Sequence, residues 1–195
     1  MRTSGVKRKD ILAYAMVICL AVSALLVISF DAPEMRAAES AGRDSGGYYY
    51  MDNKNPEPKV EYNWIDTTST GTNLYISGSG ANAYISLPFS FPLYGGSYTN
   101  LYVYSYGYVC FDYPTFTTSY SSGMPQSGSP NPMIAALWGV GYGNAYYLLS
   151  PAGAEIKWIA IEWSSNYAHN FELIMYESGM IKMQYKSFGS NYPNG

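Results

Sequence analysis

The amino-acid sequence predicts an all-β fold, an antiparallel β-sandwich of the jelly-roll-like or Ig-like type, preceded by one N-terminal apolar helix. From Val60 onward no segment has a helical period, nine short β-prone runs alternate with turn clusters, and tyrosine accounts for 22 of the 195 residues. Tyrosine joins a large apolar ring to a polar tip, so it suits strands with one wet face. Short strands at regular spacing without intervening helices are typical of a sandwich or a barrel.

The N-terminus has the pattern of an export signal. Four basic residues among the first nine precede an uncharged run of twenty, residues 11–30. Basic residues before an apolar run keep the N-terminus in the cytoplasm and send the following chain across the membrane. Twenty residues match a spanning helix, whereas the apolar part of a signal peptide usually has about 7 to 15. Residues 1–37 are therefore a retained signal-anchor or a cleaved signal peptide. Both place the domain outside the cell or at its surface, with membrane contact through residues 11–30 if the run is uncleaved.

Residues 38–59 have the composition of a flexible or extended linker. "AESAGRDSGG", residues 38–47, is small, polar and without a period, and "NPEPK", residues 55–59, brings two prolines close together. Such prolines favour an extended chain over a helix. The sandwich domain is then expected over residues 60–195.

The stretch "LPFSFPLYGGSY", residues 87–98, predicts an edge strand followed by a tight reversal. Leu87, Phe89 and Phe91 alternate with Pro88 and Ser90, so one face supplies large side chains to a core. The prolines lack a backbone N–H and therefore confine the strand to an edge or a strand end. The glycine pair at 95–96 permits the reversal.

The clearest hairpin is "FELIMYESGMIKMQYKSF", residues 171–188. A two-residue Ser178-Gly179 loop between Glu177 and Met180 is expected to join its arms. On the second arm Ile181, Met183 and Tyr185 alternate with Lys182, Gln184 and Lys186. The pattern predicts that the first set is buried and the second is wet.

Six sequence blocks together resemble a known family: "YNWID" at 62–66, "LPFSFPLYGGSY" at 87–98, "SYGYVCF" at 105–111, "PNPMIAALW" at 130–138, "IEW" at 161–163 and "FELIMYESGMIKMQY" at 171–185. The resemblance is to a β-sandwich module of secreted and cell-surface proteins of archaea and bacteria, seen beside subtilisin-like proteases and in surface-anchored repeat proteins. It implies a non-catalytic accessory or adhesive module, and it transfers no binding residue.

The sequence departs from that family pattern in two places. Trp138 is followed by Gly139 rather than by acidic residues, which puts a cation-binding role of this loop in doubt. The family pattern continues with a further strand after the last hairpin, so the domain is expected to be truncated at its C-terminal end. An unpaired sheet edge invites pairing with another surface protein or with a second copy of the chain.

Charge and cysteine content exclude two further classes. Residues 41–195 contain six Lys or Arg against ten Asp or Glu, a net charge of −4. Nucleic-acid binding needs clustered cations, so no nucleic-acid partner is expected. Cys19 lies in the apolar run and Cys110 in a tyrosine-rich strand, so an internal disulfide is not predicted. Cys110 reads as a small buried hydrophobic side chain.

Neither catalysis nor cofactor binding has a clear motif. His169 is the sole histidine in the sequence and is expected at a loop or strand end, and no Gly-x-Ser-x-Gly occurs. No metal-ligand spacing is present, although "DNKN" at 52–55 has oxygen ligands of the kind that calcium uses. Glu162 and Glu172 could lie close together on adjacent strands, as paired carboxylates do in glycoside hydrolases. A solvated face is the simpler explanation of both, so no catalytic residue is assigned.

A speculative ligand site consists of four aromatic residues, Tyr104, Tyr106, Trp158 and Trp163. If exposed, their rings could stack on the sugars of a polysaccharide, whereas burial of alternate members would assign them to packing. The leading interpretation is an exported non-catalytic module with a structural or adhesive role at the cell surface. The alternatives are a carbohydrate-binding module of a secreted hydrolase and an extracellular hydrolase.

Overall fold

The computed structural model describes residues 44–54, 60–113, 132–139, 143–165 and 168–189. Within these residues it contains nine strands and one helix of four residues. The helix is α1 (Thr67–Thr70), and the strands are β1 (Thr72–Asn73), β2 (Asn82–Leu93), β3 (Gly96–Tyr104), β4 (Tyr108–Cys110), β5 (Met133–Ala135), β6 (Gly143–Leu149), β7 (Trp158–Ser165), β8 (Asn170–Tyr176) and β9 (Ile181–Ser187). The predicted all-β class is confirmed.

The chain divides into two compact units. One comprises Met1–Asp44 and Tyr48–Val60, and the other comprises Ser45–Gly47 and Glu61–Gly195. All nine strands belong to the second unit.

A five-stranded antiparallel sheet has the order β1-β6-β7-β8-β9. β7 and β8 are central and carry side chains that are buried on both faces, which explains the nearly continuous apolar runs "WIAIEW" and "FELIM". Because side chains alternate along a strand, the odd-numbered residues of both strands share one face. This face is formed by the fully buried Ile159, Ile161, Trp163, Phe171, Leu173 and Met175.

A four-stranded antiparallel sheet has the order β2-β3-β4-β5. β2 lies at its edge, as its prolines predict, and its buried residues alternate with exposed ones from Ile85 to Leu93. The strand pairing shifts register between Ser86 and Phe91, the stretch that contains Pro88. Tyr94 and Gly95 then make a two-residue turn in which both have positive φ, as type I′ requires. The reversal thus lies one residue earlier than the predicted Gly95-Gly96 pair.

Three contacts join the two sheets. The indole Nε1 of Trp163 donates a hydrogen bond to the carbonyl of Tyr104 at 2.8 Å. The hydroxyl of Tyr185 donates to the carbonyl of Ala136 at 2.7 Å. Gly107, in the β3–β4 turn, lies so close to the Phe171 ring that a Cβ atom there would be 2.9 Å from it. The odd-numbered face of β7 and β8 therefore looks toward the four-stranded sheet, as one layer of a sandwich does toward the other.

The β8–β9 hairpin forms as predicted, but its loop is one residue longer. The amide of Tyr176 donates to the carbonyl of Met180, and the amide of Gly179 donates to the carbonyl of Tyr176. The loop is thus Glu177-Ser178-Gly179, with Gly179 at φ +88°. A type I turn closed by a glycine of positive φ is the usual three-residue hairpin loop.

The predicted N-terminal apolar helix, residues 11–30, lies outside the described residues, and so do parts of the predicted 38–59 linker. Among the helices that the structure does describe, none has the length and apolar character needed to cross a membrane.

Candidate functional site

A row of polar side chains crosses the five-stranded sheet on the face opposite Trp163. Strand register aligns Tyr146 of β6 with Glu162 of β7, Glu162 with Glu172 of β8, and Glu172 with Gln184 of β9. Glu162 is 3% exposed, Glu172 is fully buried and Gln184 is 3% exposed. The prediction that the two glutamates lie close together on adjacent strands is confirmed. The prediction that they lie on a solvated face is wrong.

Residues 61–67, which we call the strap, cover this row. Gln184 makes two hydrogen bonds to the backbone of Asn63: its Nε2 donates to the carbonyl at 2.7 Å, and its Oε1 accepts from the amide at 2.6 Å. Gln184 Nε2 also donates to Glu172 Oε2 at 2.8 Å. The amide of Ile65 points to the same oxygen at 3.5 Å. One buried amide side chain thereby ties the strap to the sheet and to a carboxyl group.

The C-terminal end of the strap is fixed at the start of α1. Asp66 caps this helix, because its Oδ1 accepts from the amide of Ser69 at 3.1 Å and from the hydroxyl of Thr68 at 2.9 Å. Hydrogen bonds from the side chains of Ser69 and Thr68, together with the Ser69 amide, hold the pKa of Asp66 below its ordinary value. The cap positions the next residue, the buried Thr67, whose hydroxyl donates to Glu162 Oε2 at 2.8 Å.

Burial dominates the acid–base behaviour of the two carboxyl groups. It raises the pKa of Glu172 to about 7, although the hydrogen bonds from Gln184 and Ile65 act in the opposite direction. It also raises the pKa of Glu162, against hydrogen bonds from Thr67. Two ionised carboxylates on neighbouring strands would repel each other, so the row favours at least one protonated carboxyl group near neutral pH.

In this geometry the carboxyl pair contacts its own chain. Glycoside hydrolysis requires two carboxyl groups that flank a bound sugar. Here Thr67 and Gln184 occupy hydrogen-bonding positions on Glu162 and Glu172, and the strap lies over both. The arrangement can store a proton and hold a segment of backbone.

The sequence matches a known protein family. The sequence model of a family described as NIDO related matches residues 57–195. The chain belongs to the NIDO-related family. Nidogen-like domains are extracellular, and this chain is accordingly an extracellular module. No curated protein and no solved structure matches it significantly.

Three of the four aromatic residues predicted as a ligand platform are buried in the interior of the NIDO-related domain. Tyr104 and Trp163 are fully buried, Tyr106 is 7% exposed, and Trp158 is half-buried. Trp163 stacks on Phe171 with ring centroids 5.3 Å apart. With three of the four rings inside the protein, the set has no common exposed face and serves packing. The prediction of an exposed platform is therefore wrong for those three residues.

Tyr104 and Tyr106 belong to a second buried cluster of the NIDO-related domain, together with Tyr108 and Cys110. The rings of Tyr104 and Tyr108 stack at 4.8 Å. Cys110 is fully buried, as predicted, and burial raises the pKa of its thiol to about 12. Cys110 is thus a packing residue at physiological pH, since the thiolate is the reactive form.

His169 lies immediately before β8, as predicted for a strand-end histidine. It is fully buried, and its Nδ1 accepts a hydrogen bond from the amide of Gly189 at 3.1 Å. Of the predicted calcium-like segment, Asn55 lies outside the described residues. Asp52 there accepts from the amide of Lys54 at 2.8 Å, a turn contact within the chain.

The residues that complete the polar row were not singled out from the sequence. The alternating pattern predicts Gln184 on the wet face of β9 and indicates no role for Asn63 or Thr67. One feature of the sequence does mark Gln184 as different from its neighbours on the same face of β9. It is uncharged, lies between Lys182 and Lys186, and pairs with Glu172. The contacts between the strap and the row span 95 to 121 positions in the sequence, and strand alternation contains no information about them.

Proposed function

We propose that this chain is an exported, non-catalytic β-sandwich module with a structural or adhesive role at the cell surface, comparable to the accessory modules of archaeal and bacterial surface proteins that it resembles. Membership of the NIDO-related family supports the extracellular setting. The observation that carries the non-catalytic role is the covering of Glu162 and Glu172 by the strap. The best-placed acid–base pair of the described residues is engaged in holding the chain together.

The edge of the five-stranded sheet supports a role in protein contacts. β9 is the last strand of this sheet, and within the described residues it pairs with β8 alone. Met183, Tyr185 and Phe188 at this edge are between 37% and 57% exposed. A sheet edge that presents backbone groups together with exposed apolar side chains is suited to strand addition by another chain. We take a second copy of the chain as the partner to test first.

The hairpin determines which β9 residues can accept an added strand. In an antiparallel pair, residues alternate between those that bond to the neighbouring strand and those that point away. The Tyr176 amide bonds to the Met180 carbonyl, so Met180 directs its carbonyl toward β8. Every second residue after it does the same, and Lys182 and Gln184 therefore direct their backbone N–H and C=O groups toward β8. Met183 lies between them and points its backbone groups away from β8. A proline at 183 therefore removes a donor from the open side of the edge.

The experiment compares the full-length chain with Met183→Pro and, as the matched control, Met183→Ala. We expect the unmodified chain and M183A to associate as concentration rises in sedimentation velocity, and M183P to remain monomeric with an unchanged far-UV circular dichroism spectrum. A chain that stays monomeric at every concentration, or an M183P variant that associates as the unmodified chain does, would contradict edge pairing.

A further inference from the structure

The structure points to a pH-controlled clasp at the strap, a device that is independent of edge pairing. We propose that a proton on the Glu162–Glu172 pair holds the strap, residues 61–67, against the five-stranded sheet, and that loss of this proton in mildly alkaline surroundings releases it. An exported domain meets the pH of its surroundings directly. Release would expose the polar row of β7, β8 and β9 to solvent, and the outer face of the sheet would change with external pH.

The geometry places the two carboxyl groups so close together that ionisation of one disfavours ionisation of the other. Glu162 and Glu172 are directly opposite each other in the β7–β8 register. Side chains at such positions have Cβ atoms about 5 Å apart. Both residues are almost completely buried, and like charges in a buried site are not screened by water. The closed strap is therefore compatible with one charge on the pair and disfavours two.

Charged and titratable groups reach the pair from each neighbouring element. The strap contributes Tyr62 and Asp66, β8 contributes Tyr176, β9 contributes Lys182 and Lys186, and Tyr146 of β6 lies opposite Glu162. Lys182 lowers the pKa of Glu172, and Lys186 lowers that of Glu162. Burial is the largest influence on each carboxyl group and acts in the opposite direction, and the net change in both pKa values is upward.

Two unsatisfied buried atoms make the closed strap easy to release. Within the part of the chain that the structure describes, Glu172 Oε1 and Trp64 Nε1 are buried without a hydrogen-bond partner. An unpaired oxygen is more costly on a carboxylate than on a neutral carboxylic acid, so ionisation of Glu172 penalises the closed state specifically. Opening the strap would hydrate both atoms. The ammonium group of Lys186 lies over the face of the Trp64 ring, with its Nζ 5.2 Å from the ring centroid.

The direction of the pH effect follows from the raised pKa. Burial raises the pKa of Glu172 to about 7 in the closed state, and hydration of the carboxyl group on opening would return this pKa toward its ordinary value of 4.5. The closed state then binds the proton more tightly, so its advantage is complete below pH 4.5 and is lost as pH rises through 7. With these two pKa values the strap-closing equilibrium should weaken roughly fortyfold between pH 5 and pH 7, because the open state loses its proton over this range and the closed state largely keeps it.

Hydrogen exchange on the full-length chain tests the clasp. Protection factors, which remove the intrinsic pH dependence of exchange, are measured for the amides of Asn63 and Ile65 and for Leu173 in the central strand β8. We expect protection at Asn63 and Ile65 to fall about tenfold between pH 6 and pH 8, while Leu173 stays constant. Glu172→Gln should keep the strap protected at both pH values, and Glu155→Gln, which alters an exposed glutamate, should behave as the unmodified chain does.

Unchanged strap protection across this pH range in the unmodified chain would overturn the proposal. An equal loss of protection in E172Q would do the same. If E172Q does not fold, the carboxyl ¹³C titration of Glu172 in the unmodified chain decides the question. A midpoint near 7 supports the clasp, and a midpoint near 4.5 excludes it.

Discussion

Trp163 connects the two sheets through a single side chain. Its ring packs on Phe171, and its Nε1 bonds to a backbone carbonyl of the other sheet. Trp158 is on the same strand but is half-buried. The two tryptophans lie on the same strand but differ in burial, so they give a matched test of packing against surface exposure.

Trp163→Phe should lower the free energy of unfolding by about 2 to 3 kcal/mol, because it removes a buried hydrogen bond and leaves unfilled volume. Trp158→Phe should cost less than about 1 kcal/mol, since the site is partly solvated. Urea denaturation of both variants measures the difference. Equal losses would mean that Trp163 is not the inter-sheet anchor that the structure shows.

At the scale of single residues, alternation predicted most of the burial. Leu87, Phe89 and Phe91 are buried because every second residue of a strand faces the same way. The same reasoning failed on β9, where Met183 and Tyr185 are exposed and Gln184 is buried. Alternation identifies the residues that share a face and does not identify what covers that face. The cover is the strap, and its contact with Gln184 spans 121 positions in the sequence.

Among the structural elements, the turns have the strictest steric requirements. Gly107 lies in the β3–β4 turn at φ +84°, and a Cβ atom there would be 2.3 Å from the Leu137 carbonyl oxygen. Gly153 has nearly the same φ, +81°, with nothing within 4 Å of a Cβ atom. The pair separates the cost of backbone conformation from the cost of steric overlap.

Gly153→Ala should lower the free energy of unfolding by about 1 to 2 kcal/mol, the cost of a left-handed non-glycine residue. Gly107→Ala should cost about 3 kcal/mol or more, because the backbone of Leu137 cannot move aside freely. Thermal or urea unfolding of the two variants measures this. A G107A variant as stable as G153A would show that the close approach of the β5 region is not required.

The elements were predicted better than their boundaries. The edge strand β2 and the β8–β9 hairpin follow from the alternating pattern and from the positions of proline and glycine. The β2–β3 turn lies one residue earlier than predicted because Tyr94 adopts positive φ at 45°, which composition does not indicate. In the last hairpin, the bond between Tyr176 and Met180 closes a three-residue loop where sequence spacing also permitted two.

At the scale of the whole molecule, the sequence predicted the all-β class, and the structure supplied the pairing of strands across two sheets. That pairing brings Glu162, Glu172 and Gln184 into one row, while the strap covers them. Sequence spacing correctly suggested two neighbouring glutamates. Their burial depends on a segment that precedes all the strands that the structure describes, so it could not be inferred from the strands themselves.

The central claim is that these carboxyl groups hold the chain's own strap and do not face a substrate. Carbodiimide labelling of the folded full-length chain at pH 6, followed by peptide mass spectrometry, tests it most directly because the reagent must reach a carboxyl group to modify it. We predict rapid labelling of the exposed Glu61 and Glu155, with Glu162 and Glu172 protected until the protein unfolds. Labelling of Glu162 or Glu172 in the folded chain at the rate of Glu155 would contradict the account.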